Sequence, residues 1–121
     1  MSAPLNTIIL YAKDPKKSAD FYRRFFGFAT SGEIVEGLVE LKSQSGISLL
    51  IHQAAKGVML GQVGVKLMFD VEDIEAFKAV SAAYGLEFGP THHANGYSFA
   101  NAKDPDKNSI SISSRAFKRK A

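Results

Sequence analysis

Three histidines and one lysine offer the most versatile chemistry in this sequence. His52, His92 and His93 could hold a divalent metal through imidazole nitrogens or line a wet pocket, and we expect the second role. Lys66 lies in an apolar run and could anchor a carboxylate or phosphate, act as an amine nucleophile or remain solvated. Asp70 lies on the same strand face and could partner Lys66. The absence of cysteine excludes disulfides, thiolate metal sites and a cysteine nucleophile.

The sequence lacks the motifs of several other kinds of catalysis and ligand binding. The sequence contains no nucleophile elbow, P-loop, GxGxxG fingerprint or HExxH helix. Ser98 and the C-terminal serines show no recognisable base, so acyl transfer is not expected. The apolar runs fall short of the roughly 20 residues that span a bilayer, and the N-terminus lacks the pattern of a secretory signal. We therefore expect a cytoplasmic protein with no membrane partner.

The basic character of the chain is concentrated at its C-terminus. The net charge is +3 and the pI is near 9.2, and much of the excess comes from Arg115, Lys118, Arg119 and Lys120. Phe117 is the only aromatic residue among them, which is too little for a platform that stacks bases. We expect a solvated terminus and no nucleic-acid partner.

The chain of 121 residues is predicted to form one domain, 1–121, built from two copies of one unit. A strand that begins at Thr7 leads into a helix that ends at Gly27, and a strand that begins at Lys66 leads into a helix that ends at Gly85. The copies are offset by 59 residues at the strands and 58 at the helix ends. The predicted segments are a first module at 5–53, a linker at 54–64, a second module at 65–115 and a basic tail at 116–121.

Each half is predicted to contain one helix and four strands. Asp14 and Asp73 suit helix N-caps, and Pro15 suits the first helical position. The order βαβββ, twice, indicates an α+β fold, and a ferredoxin-like βαββαβ order has too few strands per helix. The predicted elements are helices 15–26 and 73–84 and strands 7–12, 28–34, 37–42, 47–52, 65–71, 86–93, 97–102 and 109–113.

The last strand alternates strictly between apolar and polar residues. Ile110 and Ile112 face one way, and the other face carries Ser109, Ser111 and Ser113. This pattern predicts that the serine face lines a water-filled cleft.

Several short sequence segments resemble those of the vicinal oxygen chelate superfamily, which includes glyoxalases, bleomycin resistance proteins and dioxygenases. They are Lys13-Asp14, Phe21-Tyr22, Phe25-Phe26-Gly27-Phe28, Val71-Glu72-Asp73-Ile74 and Asp104-Pro105-Asp106-Lys107-Asn108, in which Lys107 replaces the family's glycine. The resemblance covers the chain from Leu5 to about Arg115. It implies two tandem βαβββ modules that form a curved mixed sheet around a cleft, with helices on the outer face. It also implies a homodimer.

Many members of that superfamily hold one divalent metal with four ligands. The resemblance places the ligand positions at Thr7, Leu50, Lys66 and Ser111. Leu50 has no donor atom, and the ammonium group of Lys66 repels a dication. We therefore expect no metal and no cofactor. The alternative is a relocated site in which His52 combines with His92 or His93.

These observations predict a glyoxalase-like protein that binds a small anionic or neutral apolar molecule in a dimeric cleft. The basic chain and Lys66 disfavour cationic drugs of the bleomycin type. One alternative is a metal-dependent lyase or dioxygenase with relocated histidines, and another is an interaction domain whose cleft is filled. No residue is predicted to be catalytic. The candidate ligand-binding residues are Tyr11, His52, Lys66, Met68, His92, His93 and Ser111, and Tyr97 and Phe99 are further candidates for apolar walls.

Overall fold

Two units of nearly equal length each begin with a strand and a helix, followed by two strands in the first unit and three in the second. The computed structural model describes residues 1–118, and the chain divides into Met1–Leu60 and Gly61–Ala121, a boundary inside the predicted linker. The first unit contains β1 (Thr7–Ala12), α1 (Pro15–Phe26), β2 (Leu38–Lys42) and β3 (Ser48–Gln53). The second contains β4 (Lys66–Asp70), α2 (Ile74–Ala83), β5 (His92–His93), β6 (Ser98–Lys103), β7 (Ser109–Ser113) and a 3₁₀ turn (Arg115–Phe117). The predicted α+β class is confirmed.

Helix α1 begins and ends where the sequence predicts. The side chain of Asp14 accepts a hydrogen bond from the Lys17 backbone N–H at 3.2 Å, and Pro15 occupies the first turn. Gly27 ends the helix in the left-handed region with φ of 72°, a conformation that costs glycine little. The side chains of Ala19 and Tyr22 are buried, which identifies the face that packs on the sheet.

The first sheet has the strand order β1-β3-β2, with β1 parallel and β2 antiparallel to β3. One face is apolar and lies against α1, where Val39, Leu41 and Ile51 are fully buried. Since strand residues alternate, Ile9 and Tyr11 point to the other face, and each is half exposed. The candidate side chains of this unit therefore lie on an open sheet surface.

The strand predicted at 28–34 does not form as a regular strand. Only isolated bridges join Ala29 to Lys42 and Val35 to Leu38. Between them, Thr30 Oγ1 accepts a bond from the Gly32 N–H at 3.0 Å, and Ser31 Oγ accepts one from the Glu33 N–H at 3.3 Å. These local bonds compete with pairing to β2, so the segment bulges away from it.

The second sheet has the strand order β4-β7-β6-β5. Asp73 caps α2 by accepting a bond from the Ala76 N–H at 3.0 Å. Ala100, Ile110 and Ile112 are fully buried on one face of the sheet. The strand predicted at 86–93 is reduced to two residues, because Pro90 has no N–H to donate to a ladder.

The described part of the C-terminal tail is held against an aromatic ring. The Arg115 guanidinium carbon lies 6.0 Å from the Tyr97 ring centroid, and Lys118 Nζ lies 5.8 Å from it. Both distances permit cation–π attraction. Residues 115–118 are nevertheless exposed, as expected for a solvated terminus, and Arg119 and Lys120 lie outside the described residues. Neither α-helix described in residues 1–118 has the length and hydropathy to cross a membrane.

The turn before β7 departs from the pattern that its sequence resembles. Asp104 Oδ1 accepts bonds from the Asp106 N–H at 2.9 Å and the Asn108 N–H at 2.8 Å, which fold the turn tightly. Lys107 consequently adopts a positive φ of 67°, a region that disfavours residues with a Cβ atom.

We predict that Lys107→Gly raises the free energy of unfolding by about 1 kcal/mol, because glycine removes the Cβ penalty at this φ. Thermal unfolding should show a Tm about 4 °C higher. The matched control is Lys56→Gly in another turn, where Lys56 is exposed and its φ is not positive, and it should not stabilise. Equal effects of the two substitutions would contradict the explanation.

Candidate functional site

The exposed face of the second sheet carries most of the candidate residues of that unit. Lys66 and Met68 lie on the edge strand β4, and their side chains point to the same side of the sheet. In register, Lys66 pairs with Ser109, and Ser109 pairs with Lys103. The next row along the strands consists of Met68, Ser111 and Asn101. We call the surface formed by these two rows the cationic face.

Two ammonium groups lie over the central strand of the cationic face. Lys66 Nζ donates a hydrogen bond to Asn101 Oδ1 at 3.0 Å, so the side chain reaches from β4 across β7 to β6. Lys103 Nζ donates to Ser109 Oγ at 2.8 Å, reaching back from β6 to β7. Within residues 61–118, neither ammonium group lies within 4.0 Å of a carboxylate oxygen. The face therefore presents uncompensated positive charge.

The serine face of β7 is not a wet cleft lining. Ser111 and Ser113 have no exposed surface, and the hydroxyl group of Ser111 donates to the Ala100 carbonyl oxygen at 3.0 Å. The reason is size, since the longer side chains of Met68, Lys66 and Asn101 flank and cross the short serine. The expectation for this face is therefore wrong at Ser111 and Ser113, and Ser111 acts as a floor beneath the longer residues.

His92 and His93 lie on opposite faces of the second sheet. His92 pairs in register with Phe99, and their ring centroids are 5.1 Å apart, so His92 belongs to the face that carries Lys66 and Met68. His93 points to the other face, where its Nδ1 lies 2.9 Å from Ser98 Oγ. Alternation along the strand makes this division unavoidable. Ser98 thus has an imidazole neighbour that the sequence analysis did not identify, because the pairing arises only from strand register.

In the first unit, Tyr11 and His52 are neighbours on the open face of the sheet. They pair in register, and their ring centroids lie 5.6 Å apart. His52 Nδ1 lies 2.8 Å from the Gln53 carbonyl oxygen. A carbonyl can only accept, so Nδ1 carries the proton, and Nε2 of the neutral ring keeps its lone pair. This tautomer suits His52 to accept a hydrogen bond or to ligate a metal.

The first unit also contains a recess that sequence reasoning missed. A cavity of about 590 Å³ lies between the bulged segment 29–35 and β2. Its charged lining residues are Glu33, Glu40 and Lys42, which gives one net negative charge. The available signal was the run Thr30-Ser31-Gly32, whose residues favour turns over strands. The positive charge expected around Lys66 is therefore found on the second sheet, whereas this recess in the first unit is acidic.

The four positions that the family resemblance assigns to metal ligands do not fit a divalent ion. Leu50 offers no donor, and Lys66 presents an ammonium group that already donates to Asn101. The hydroxyl groups of Thr7 and Ser111 donate to Asn6 and to the Ala100 carbonyl. Among residues 1–118, no group of three or more His, Cys, Asp or Glu side chains is arranged to hold a metal. Since His92 and His93 face opposite ways, only His92 lies on the sheet face that carries Met68, and the two imidazoles do not meet at one metal site on that face.

We predict that Ser111→Ala lowers the free energy of unfolding by about 1 kcal/mol, because the buried Ala100 carbonyl loses a donor. Urea unfolding of the purified variant measures the loss. The control is Ser45→Ala in an exposed turn, which should change the free energy by less than about 0.5 kcal/mol. If the two variants are equally stable, Ser111 is not the buried floor described above.

Comparison with known proteins identifies the family to which this fold belongs. The family model described as Glyoxalase/Bleomycin resistance protein/Dioxygenase superfamily matches residues 5–112. The structure of UcmS2 superposes with a TM-score of 0.78 at 16% identity, covering 94% of this chain and 99% of that chain. No curated protein sequence matches significantly.

Two further solved structures show the breadth of proteins with this fold. Lactoylglutathione lyase from Agrobacterium tumefaciens has a TM-score of 0.72 at 23% identity, covering 93% of each chain. TnmS3, described as an antibiotic binding protein from Streptomyces sp. CB03234, has a TM-score of 0.75 at 18% identity, covering 92% of this chain and 94% of that one. At these identities the likeness shows the shared fold and leaves the activity to be argued from the site.

Proposed function

Since the chain belongs to the Glyoxalase/Bleomycin resistance protein/Dioxygenase superfamily, we propose that it is a metal-free binding protein for a small anionic or neutral apolar molecule. The observation that carries the proposal is the position of Lys66. Its ammonium group lies where the family resemblance expects a metal ligand, and it is held there by Asn101. A cation at this point repels a dication and attracts an anion.

The solved structures of similar fold support a binding function and an enzymatic one equally. TnmS3 is described as binding an antibiotic, whereas the Agrobacterium tumefaciens protein is a lyase. The residues of this chain favour binding, because no described cluster supplies a base, a nucleophile and an oxyanion site together. The half-exposed Ile9, Tyr11 and Met68 add apolar surface to the open sheet faces.

A homodimer is part of this proposal. Strands β1 and β4 each lie at the edge of their own sheet, and edge strands offer backbone groups and side chains to a second chain. Ile9 on β1 is half exposed although it is apolar. A second copy of the chain is the proposed partner for this edge. A cytoplasmic location without membrane or nucleic-acid partners remains a prediction from the sequence.

A metal-dependent lyase or dioxygenase is the second candidate function. The observation that favours it is the tautomer of His52, whose Nε2 lone pair is available to a metal while Nδ1 donates to the Gln53 carbonyl. Such a site needs a second imidazole, for which His92 and His93 are the candidates, and of these His92 lies on the sheet face that carries Lys66. The ammonium group of Lys66 on that face opposes metal binding.

Metal content and thermal stability test the two candidates. We predict that untagged protein purified without chelators contains no stoichiometric metal and that Zn²⁺, Ni²⁺, Mn²⁺ and Fe²⁺ leave its Tm unchanged. A panel of small organic acids and neutral aromatic compounds should contain stabilising ligands, and one present at 100 times its Kd adds about 2.7 kcal/mol. A stoichiometric metal, or a metal-induced Tm rise that His52→Ala abolishes, would overturn the binding proposal.

We predict that the native protein has twice the 13.1 kDa mass of one chain in light scattering coupled to size exclusion. Ile9→Lys should shift the mass toward a single chain, because it places a charge on the apolar edge. Val80→Lys is the control, since Val80 is exposed and belongs to helix α2, not to an edge strand. A single-chain mass for the native protein would refute the dimer.

A further inference from the structure

The two units contain equivalent lysine–serine pairs. In the first unit, Lys42 Nζ donates to Ser48 Oγ at 2.9 Å, and in the second, Lys103 Nζ donates to Ser109 Oγ at 2.8 Å. Each residue of the second pair lies 61 residues after its counterpart. Both pairs join neighbouring strands in matching register, Lys42 with Ser48 and Lys103 with Ser109. The geometry of the two pairs is therefore the same.

The surroundings of these pairs differ in charge. Glu40 in the first unit corresponds to Asn101 in the second, again 61 residues apart, and Thr7 corresponds to Lys66. The first pair therefore has a carboxylate in the neighbouring row, which balances Lys42. The second pair has a neutral amide there and gains a second ammonium group. These two rows therefore carry one positive and one negative charge in the first unit and two positive charges in the second.

We propose that Lys66 and Lys103 form a carboxylate site on the cationic face, with the carboxylate over Ser109 and the apolar body of the ligand along Met68. The inference rests on the proposed binding function and assigns its ligand class, small apolar monocarboxylic acids. Each ammonium group has three donors and uses one of them in the bond described above. The remaining donors of both groups are available to an anion over β7.

Strand geometry gives this site suitable dimensions. Lys66 and Lys103 belong to strands on either side of β7, so their backbones are about 10 Å apart and their side chains converge from opposite sides. Met68 lies one row further along, about 7 Å away, and 51% of its surface is exposed. A thioether side chain adapts to ligands of varied shape. The Phe99 ring, stacked with His92, extends the apolar surface by one more row.

The far end of the same face limits the charge of the ligand. Asp70 pairs with Ser113 in the row beyond Met68, and it is exposed. Its carboxylate repels a second anionic group at the distal end of a bound molecule. Dicarboxylic acids that span the face are therefore disfavoured. A ligand with one carboxylate and an apolar body places its charge beside the two lysines and no second anionic group near Asp70.

The test compares 2-naphthoate with 2-naphthamide, which have nearly the same shape but differ in charge. Isothermal titration of the native protein should give a Kd about tenfold lower for the acid than for the amide, the scale of one charge-assisted hydrogen bond on a partly exposed surface. Lys66→Gln and Lys103→Gln should each abolish most of this preference. Lys42→Gln is the matched control, because it removes the equivalent lysine of the first unit, and it should leave the preference intact.

The location of the ligand is measured separately by methyl NMR. The chain has three methionines, Met1, Met59 and Met68, so their methyl signals can be assigned with few variants. The Met68 signal should shift on addition of 2-naphthoate, and the other two should not. Thermal unfolding of each variant verifies that it folds. If a glutamine variant does not fold, Lys66→Met or Lys103→Met replaces it, because methionine keeps the aliphatic stem of the lysine.

The possible outcomes separate the carboxylate site from the broader binding function. Binding of both compounds with no preference for the acid, or a preference that Lys42→Gln removes as strongly as Lys66→Gln, overturns the carboxylate site and leaves a binding protein. Absence of binding to either compound also overturns the carboxylate site, while the metal and ligand panel decides the binding function. A shift at Met59 in place of Met68 places the ligand elsewhere and refutes the assignment.

Discussion

The burial of one face of each sheet is the constraint on which the rest of this structure depends. Val39, Leu41 and Ile51 in the first sheet and Ile110 and Ile112 in the second are fully buried. Because side chains alternate along a strand, burying these residues assigns every neighbour to the opposite face. Lys66 and Met68 are exposed together for this reason, and His92 and His93 are separated for the same reason. The positions of the candidate residues thus follow from the core.

Much of the fold could be predicted from the sequence because its signals are local or periodic. Helix α1 has a capping aspartate, a first-turn proline and a terminal glycine, and its predicted bounds are those observed. The segment 28–34 was predicted to be a strand, but Thr30 and Ser31 accept hydrogen bonds from nearby backbone N–H groups. Pro90 likewise shortened β5. In both cases a short-range backbone effect outweighed the hydrophobic pattern.

The candidate site could be predicted less fully, because exposure depends on neighbours across strands. Ser111 lies on the face that carries Met68, and its burial follows from the lengths of Lys66, Met68 and Asn101 on other strands. The recess lined by Glu33 and Glu40 follows from a bulge whose sequence signal, the turn-favouring run Thr30-Ser31-Gly32, does not by itself reveal a cavity. A single sequence predicts the side of a sheet on which a residue lies, whereas its accessibility requires the register of three strands.

The replacement of a metal ligand by lysine changes what such a site can do. A bound dication lowers the pKa of water or polarises an oxygen, which generates a reactive species. An ammonium group donates hydrogen bonds to an oxyanion but offers no empty coordination position for activating it. Asn101 holds Lys66, and no carboxylate of residues 61–118 lies within 4.0 Å of its ammonium group, so the positive charge remains available to a ligand. A lysine at this position therefore opposes a dication and attracts an anion, which is the physical basis of the binding function proposed above.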